Sequence, residues 1–154
     1  GGAQVFPLWN GDNTVQVVII DSDGLVPSAD LVKEVQTYID PDSSGKGTGQ
    51  APVGAYCTVT AATALSIAVS AVLTIRANTT LEVVKGLVES GLKAYLKSIA
   101  FKSKTISVGK IGDIILNTDG VEDYDALTIN GATTKITVPD KYVGVLGEVT
   151  LSEE

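Results

Sequence analysis

The chain has 154 residues, 44% of them hydrophobic and 19% charged, which is a globular composition and excludes an intrinsically disordered protein. Eleven Lys and Arg against eighteen Asp and Glu give a net charge of −7, so nucleic acid is not expected as a partner, and no apolar run is long enough to insert into a membrane. The absence of histidine removes Ser-His-Asp and Cys-His catalytic arrangements and the commonest metal ligand, so we expect no enzyme, no cofactor and no bound metal.

The first predicted elements are a strand and a helix. Residues 15–20 are β-branched or apolar almost without interruption, as in a central strand. Asp21-Ser22-Asp23-Gly24 predicts a turn. Ser28 can then cap a helix whose apolar residues recur at helical spacing as far as Ile39, and Pro41 ends it.

A polar loop and a hairpin are predicted next. Residues 42–50 contain no apolar side chain, which indicates a flexible loop at the surface. Two strands follow, at residues 55–60 and 65–76, and we expect them to form a hairpin across residues 61–64.

The best-specified element is a long helix that begins at Thr79-Thr80-Leu81-Glu82, where a threonine with glutamate three residues later can form a reciprocal capping box. Its apolar stripe consists of Leu81, Val84, Val88, Leu92, Tyr95, Leu96 and Ile99. Gly86 and Gly91 lie inside the helix, and each costs about 1 kcal/mol relative to alanine. We expect close packing against a neighbouring element to compensate for this cost.

A short strand and a third helix are predicted after the long helix. The strand lies near residues 105–108, and the helix contains the apolar residues 111–116. Gly120 allows the chain to leave this helix through a positive φ angle, and the chain then runs extended.

A hairpin is predicted near the end of the chain. Leu127 and Ile129 alternate with polar residues and so share the buried face of a strand. Asn130-Gly131 is a strong signal for a two-residue turn. Residues 136–138 supply the return strand, and residues 143–149 form a further extended, apolar segment.

The order strand, helix, strand, strand, helix, strand predicts a ferredoxin-like, split βαβ unit in an α+β protein. Right-handed crossovers would place both long helices on one face of the sheet, which gives a two-layer α/β sandwich extended by a short helix and the C-terminal β-hairpin. We expect residues 1–14 to be a connecting segment, with residues 1–3 as a candidate cloning remnant or cleavage scar. Residues 15–108 are expected to form the ferredoxin-like unit, and residues 109–154 to pack with it as one domain.

Two segments could carry chemistry, and in each a structural role is the simpler interpretation. Cys57 is the only cysteine, so no internal disulfide can form. A lone strand cysteine without an activating histidine is typical of a small buried apolar group rather than a catalytic thiol. Residues 44–49 resemble a phosphate loop superficially but lack its first glycine and its Lys-Ser/Thr pair, so a flexible tip is expected.

The charged clusters also have two interpretations. Asp21 and Asp23 at one turn, and the carboxylates of residues 119–125 at another, could bind a hard cation. Tight turns select Asp and Gly, however, and the glutamate that completes a calcium-binding loop is missing. Lysines are frequent at residues 93–110, where they form a basic patch or, in the simpler interpretation, complement the dipole of a helix.

A family resemblance rests on five segments: residues 11–18, 52–55, 120–124, 127–131 and 145–149. These segments, and the order of elements between them, resemble the baseplate J-like proteins of contractile phage tails over nearly the whole chain. The resemblance implies a structural subunit of a tail baseplate wedge, in a phage, a prophage or a related injection device, and no enzymatic activity. It also implies a missing N-terminal portion, which we expect for a chain without methionine.

The resemblance implies partners and a location as well. The partners are other baseplate wedge and hub proteins and other copies of the chain, and the location is the virion tail baseplate, after assembly in the cytoplasm of the bacterial host. The candidate interface residues are Tyr142, Val143, Val145, Leu146 and Trp9. The first four could add a strand to a neighbouring sheet edge or fold back onto their own core. The alternative function is a small-ligand-binding α/β module, since ferredoxin-like units often bind small molecules between helix and sheet.

Overall fold

The computed structural model describes residues 1–154 and is an α+β protein, which confirms the predicted class. Its helices are α1 (Ala29–Ile39), α2 (Leu81–Ile99) and α3 (Val108–Leu116), with a short 3₁₀ helix at Pro41–Ser43. Its strands are β1 (Gly2–Pro7), β2 (Thr14–Ile20), β3 (Tyr56–Ala61), β4 (Thr63–Ile75), β5 (Thr105–Ile106), β6 (Val121–Ile129), β7 (Ile136–Thr137) and β8 (Tyr142–Glu153). They form three sheets, with the orders β1-β2-β3, β6-β4-β8 and β5-β7. No helix combines the length and the apolar character needed to cross a membrane.

The chain forms two compact units. Unit 1 contains residues 1–64 and 141–143, and unit 2 contains residues 65–140 and 144–154. The first boundary, after Ala64, falls inside the segment that the sequence predicts as one ferredoxin-like unit. It lies within β4, and no glycine or proline marks it.

Unit 1 is built on a three-stranded sheet with β2 at its centre. β2 pairs antiparallel with β1, where Val5 lies opposite Val17, and parallel with β3, where Val17 lies opposite Val59. The predicted central strand at residues 15–20 is confirmed, because all its side chains except the first are buried. β1 occupies residues that the sequence assigns to a connecting segment. Its side chains alternate in exposure, as expected for a strand with one covered face.

α1 connects the parallel strands β2 and β3. The hydroxyl of Ser28 accepts a hydrogen bond from the Leu31 N–H at 3.2 Å, which confirms the predicted N-cap. The helix ends at Ile39, two residues before Pro41. The buried cluster of unit 1 consists of Val17, Ile19, Cys57 and Val59, with Leu31, Val32, Val35 and Ile39 packed against it. The helical spacing of the apolar residues on α1 therefore covers one face of the sheet.

The hairpin predicted for residues 55–76 is wrong. β3 belongs to the sheet of β1 and β2, whereas β4 belongs to the sheet of β6 and β8. Only Ala62 separates β3 from β4, which is too short for a reversing turn. The N–H of Ala62 donates to the Ile19 carbonyl at 3.0 Å, so this residue still belongs to the edge of the first sheet.

In unit 2, α2 and α3 share a core with a second three-stranded sheet. β4 is its central strand and pairs antiparallel with β6. The strand contributes Ile67, Val69, Ala71 and Leu73, and α2 contributes Val84, Val88, Leu92 and Leu96. The spacing of two along the strand and of four along the helix is the pattern expected for one buried face of each. The apolar stripe predicted for α2 is confirmed, because its remaining members pack against the same cluster.

The start of α2 is predicted correctly, but the reciprocal capping box is wrong, because it requires Thr79, three residues before Glu82, at the N-cap position. Thr80 is the N-cap, and its carbonyl accepts a hydrogen bond from the Val84 N–H at 3.1 Å. Its side chain makes no capping hydrogen bond.

Close packing accompanies only one of the two glycines of α2. A Cβ on Gly91 would lie 2.8 Å from Cγ2 of Ile114, so α3 approaches the helix closely there. No atom outside the helix lies within 4 Å of the same position at Gly86. The expectation of a close neighbour is confirmed at Gly91 and wrong at Gly86.

The turn at Asn130-Gly131 is confirmed, whereas the strand pairing predicted after it is wrong. Ile129 and Ala132 exchange two backbone hydrogen bonds of 2.8 and 2.9 Å, and both turn residues have positive φ angles, 50° and 75°, as in a type I′ turn. The chain then leaves β6, and β7 pairs antiparallel with β5, where Ile136 lies opposite Ile106. The departure lets Ile136 pack against the core of unit 2.

The predicted order of elements is present, but a ferredoxin-like sheet is not confirmed. The order strand, helix, strand, strand, helix, strand corresponds to β2, α1, β3, β4, α2 and β5. These four strands are distributed over three sheets, so they do not form the single four-stranded sheet of a split βαβ unit.

Candidate interaction surfaces

A short, internally bonded loop connects β1 to β2. The N–H of Leu8 donates to the Thr14 carbonyl at 2.7 Å, and Thr14 Oγ1 donates to the Gly11 carbonyl at 2.7 Å. Thr14 Oγ1 also accepts a hydrogen bond from the Asn10 N–H at 3.1 Å. These hydrogen bonds fix the conformation of the loop, which carries two large apolar side chains, Leu8 and Trp9.

The loop borders an apolar cleft of about 380 Å³ in unit 1. The cleft is lined by Pro7, Leu8, Asn13, Thr14, Val15, Val53, Gly54 and Ala55, none of which carries a charge. Leu8 is 64% exposed and Val53 is 81% exposed, and Trp9, next to Leu8 in the chain, is 41% exposed. We call these three residues the loop patch. Exposed large apolar side chains brought together in this way are typical of a binding surface.

A turn before β3 fixes the other side of the cleft. Gly54 has a φ of 87°, and its N–H donates to the Gly45 carbonyl at 2.8 Å. The N–H of Tyr56 donates to the Asn13 carbonyl at 2.9 Å. The turn is therefore tied both to its own loop and to the loop after β1, and it holds Val53 at the rim.

A buried carboxylate anchors the loop between α1 and β3. Asp40 is 1% exposed and accepts hydrogen bonds from the N–H groups of Cys57 at 3.0 Å and Gly45 at 3.3 Å. Gln36 Nε2 donates to the carbonyls of Asp40 and Cys57, and Gln36 Oε1 accepts from the Val59 N–H at 2.7 Å. Together the two side chains satisfy backbone groups of the helix end, the loop and the strand.

The carboxylate of Asp40 also explains why residues 44–49, which resemble a phosphate loop, need no bound anion. Gly45 directs its N–H at Asp40, so a carboxylate of the chain itself takes the place where a phosphate loop would hold an oxygen. Sequence reasoning missed this arrangement. Asp40 lies directly before a proline that ends a helix, and aspartate in such a place is usually a turn residue.

Cys57 lies buried beside this anchor. Burial, and secondly the negative charge of Asp40, raise the pKa of its thiol. A raised pKa keeps the sulfur protonated near neutral pH, whereas a nucleophile requires the thiolate. The position of Cys57 in the unit 1 cluster agrees with its interpretation as a small apolar group.

The first acidic turn is held by its own backbone. Oδ1 of Asp21 accepts hydrogen bonds from the N–H groups of Asp23 at 2.9 Å and Leu25 at 2.8 Å. This is the ordinary chemistry of an aspartate turn. No group of three or more His, Cys, Asp or Glu side chains is placed to hold a metal ion.

Two of the lysines near the end of α2 form ion pairs. Lys104 Nζ lies 2.8 Å from Asp140 Oδ1, and Lys110 Nζ lies 3.9 Å from Asp113 Oδ2. The neighbouring carboxylates lower the local positive potential. The pairs favour a solvated, mixed-charge surface over an anion site.

The five candidate interface residues fall into exposed and covered ones. Trp9 is 41% exposed and Tyr142 is 36% exposed, so both can reach a partner. Val143 is 1% exposed, and its side chain cannot. Val145 and Leu146 are half-buried, and Leu146 packs against the core of unit 2. An interface role for these residues stays a prediction.

The four terminal candidates lie in β8, which is hydrogen-bonded to β4 of the same chain. Of the two alternatives for this segment, the structure shows the one in which it folds back. The start of the strand is held by Lys141, whose N–H donates to Gln4 Oε1 at 3.0 Å and whose Nζ lies 5.1 Å from the centre of the Phe6 ring. β8 lies at the edge of its sheet, and that edge remains a candidate for strand addition.

A second apolar surface lies on the solvent side of α2. Val83 is 58% exposed and Leu87, one helical turn later, is 47% exposed. Sequence reasoning missed this surface because it used the apolar residues of the helix only to find its buried face. The sequence did contain a signal for it, because Val83 and Leu87 are apolar residues of the helix that lie outside the predicted stripe.

Two domain models of one protein family match the chain. The Baseplate J-like central domain matches residues 1–61, and the Baseplate J-like protein C-terminal domain matches residues 67–152. The gap between the two matches coincides with the boundary between the two compact units after Ala64. Apart from residues 141–143, each unit of the fold therefore corresponds to one family domain.

Curated relatives and a solved structure are also similar to the chain. YqbT and the phage-like element PBSX protein XkdT, both of Bacillus subtilis (strain 168), are 37% and 35% identical to it over 100% of its length. The chain spans 44% of each of these relatives. A chain of the anti-feeding prophage (AFP) baseplate, determined by cryo-EM with six-fold symmetry, has a TM-score of 0.58 and 12% identity over 94% of this chain and 33% of its own. This likeness shows a shared fold.

Proposed function

Because the chain belongs to the baseplate J-like protein family, we propose that it is a structural component of a contractile phage or prophage tail baseplate that acts through protein–protein association. The observation that carries the proposal is the match of two family domains to the two units of the fold. Two similar proteins support it, since one is a protein of a phage-like element and the other belongs to a prophage baseplate.

Within the baseplate the chain is a wedge subunit. Its partners are other wedge and hub proteins and further copies of itself, and its place is the tail baseplate of the virion after assembly in the cytoplasm of the bacterial host. This function is not enzymatic and needs no cofactor or metal. It needs surfaces that bind other subunits with an apolar centre and a polar rim.

We assign the loop patch to contact with a neighbouring subunit. Leu8 and Val53 project from hydrogen-bonded loops, so little conformational entropy is lost when they are covered. Trp9 offers the large contact area that is common at the energetic centre of an interface. Tyr142, exposed in the same unit, is a further anchor.

Purified tail particles test the assembly function. We expect peptides of the protein in these particles at a fixed ratio to other baseplate proteins, and particles without a complete baseplate when the gene is deleted. Intact, functional particles from the deletion strain would refute the proposal.

The loop patch has a separate test in the same particles. The double variant Leu8→Ser and Trp9→Ala should enter the particles at a lower level, because it removes most of the exposed apolar area. Tyr38→Ala, at a site that is 67% exposed on α1, is the matched control. Circular dichroism of the purified chains checks that all variants are folded. Equal incorporation of both variants would remove the loop patch from the interface and leave the assembly function standing.

A further inference from the structure

The solvent side of α2 has the character of a contact surface. The helix buries Val84, Val88, Leu92 and Leu96 on one side. On the other side it exposes Val83 by 58% and Leu87 by 47%, so this amphipathic helix is apolar on part of both faces. A helix of this kind is typically covered by a second element.

A row of small residues runs along the same exposed side. Gly86, Ser90 and Ala94 are spaced by four and are all exposed. Gly86 weakens the helix relative to alanine, and no atom outside the helix lies within 4 Å of the place that a Cβ would occupy. Small side chains in such a row let the backbone of a second helix approach closely.

The hydroxyl of Ser90 is already satisfied within the helix. Its Oγ donates to the Gly86 carbonyl at 2.9 Å. Covering Ser90 with another helix would therefore not leave a polar group without a partner. The centre of the exposed side can become buried at little cost.

The charges along α2 specify which partner fits. Glu82 and Glu89 lie in its first half, and Lys93 and Lys97 lie in its second half. A second copy of the helix, placed antiparallel, brings the acidic half of one beside the basic half of the other. Lys85 and Glu89 are equally half-buried, and with Lys85 counted the first half carries a net charge of −1 against +2 for the second half. A parallel copy would place the two basic halves together.

We propose that α2 pairs antiparallel with α2 of a second copy of the chain and that the two helices cross at Ser90. Gly86 of one copy then faces Ala94 of the other, and Val83 and Leu87 are covered by the stems of Lys97 and Lys93. The biological role of this pairing rests on the proposed assembly function, whereas the pairing itself can be measured in solution. A helix of 19 residues gives a contact smaller than a stable dimer usually has, so the pair is weak in dilute solution and is strengthened by neighbouring contacts in an assembly.

Cysteine cross-linking tests the pairing and its direction. Ser90→Cys places two thiols opposite each other at the crossing. Ser98→Cys is the matched control, since Ser98 is also exposed and also bonds to a carbonyl of its own helix. It lies eight residues from the crossing, so an antiparallel pair keeps its two copies about 24 Å apart. The native Cys57 is buried and does not interfere.

We expect oxidation of the chain at high concentration to convert Ser90→Cys to a disulfide-linked dimer at least tenfold faster than Ser98→Cys. Equal rates, which a parallel pair or random collision would produce, would overturn the proposal. The absence of a dimer with both variants would overturn it as well. Neither result would bear on whether the protein is present in tail particles, so the assembly function is judged separately.

A charge exchange gives an independent test in the Ser90→Cys background. One variant carries Glu82→Lys and Glu89→Lys, and the other carries Lys93→Glu and Lys97→Glu. Each alone should cross-link at least fivefold more slowly, because like charges then face each other, and an equal mixture should recover as a mixed dimer. If either double variant fails to fold, the single exchanges Glu89→Lys and Lys93→Glu replace them. A mixture that cross-links no faster than its components would refute the antiparallel arrangement.

Discussion

The two glycines of α2 provide the sharpest test of packing in unit 2, because they differ in surroundings but share a helix. Gly91→Ala would bring a Cβ to 2.8 Å from Cγ2 of Ile114, whereas Gly86→Ala adds a methyl group to open space. Both substitutions gain about 1 kcal/mol of helix propensity. Only the first adds a steric conflict.

The magnitude follows from the nature of the neighbour at Gly91. Ile114 is β-branched and therefore stiff at χ1, and it is packed against the core of unit 2, so it cannot move away freely. Overpacking of this kind costs about 1–3 kcal/mol. We expect Gly86→Ala to stabilise the chain by about 1 kcal/mol and Gly91→Ala to lie about 1–3 kcal/mol below it.

Urea denaturation followed by far-UV circular dichroism measures both free energies of unfolding. The only tryptophan, Trp9, lies in unit 1, so fluorescence is the poorer probe for α2. The control is a double-mutant cycle with Ile114→Ala, which removes the conflicting methyl group. In that background Gly91→Ala should become as favourable as Gly86→Ala. If Gly91→Ala stabilises the original chain by the full helix-propensity gain, α3 does not pack closely there and the reasoning is refuted.

Three further predictions concern the anchor, the thiol and the terminal turn. Asp40→Ala leaves two buried N–H groups without an acceptor and should cost about 2–6 kcal/mol of unfolding free energy in the same assay. Asp40→Asn keeps an oxygen as acceptor and should cost less. Equal losses would contradict the role of the Asp40 carboxylate as the anchor of this loop. The pKa of Cys57 is raised above its ordinary value of 9.0, so its contribution to stability is full below pH 9.0 and is lost as the pH rises further. Cys57→Ala should remove this alkaline loss of stability, which a series of urea midpoints at different pH values measures. An unchanged pH profile in the variant would argue against the raised pKa. Asn130→Ala removes two side-chain hydrogen bonds to the backbone of β4 and places alanine at a φ of 50°, so we expect the free energy of unfolding to fall by about 2–4 kcal/mol. A neutral result would show that the turn does not hold β6 to β4.

The elements that sequence predicts well here are those whose signals are local. The buried stripe of α2 follows from a spacing of four, and the turn at Asn130-Gly131 follows from two adjacent residues that accept positive φ angles. The N-cap at Ser28 needs only the next three residues. In each case the stabilising contact lies within the segment that carries the signal.

Strand partners could not be predicted, because pairing depends on contacts that are distant in the chain. A hairpin was the simplest arrangement for two successive strands, yet Ala62 leads from one sheet directly into another. The return strand near Ile136 likewise finds a partner in β5 rather than in the strand just before the turn. The boundary after Ala64 has no compositional signal, because it falls inside a strand.

Two of the residues that the sequence suggested for an interface are exposed, and the interface itself stays a prediction. Trp9 and Tyr142 are exposed as an interface role requires, but the local pattern gave no sign that Val143 would be buried. Val53, on the other side of the cleft, joins the loop patch through backbone bonds between two loops. Its part in the site therefore depends on tertiary structure.

The placement of β8 has a consequence for how the protein is made. A chain leaves the ribosome from its N-terminus, and domains generally fold as they emerge. β4 is synthesised well before β8, its neighbour in the sheet, and residues 141–143 complete unit 1 as well. A nascent chain interrupted before Lys141 lacks residues 141–143 of unit 1 and the edge strand β8 of the second sheet. One edge of β4, which β8 covers in the complete chain, then stays without its partner strand and exposes unpaired backbone groups.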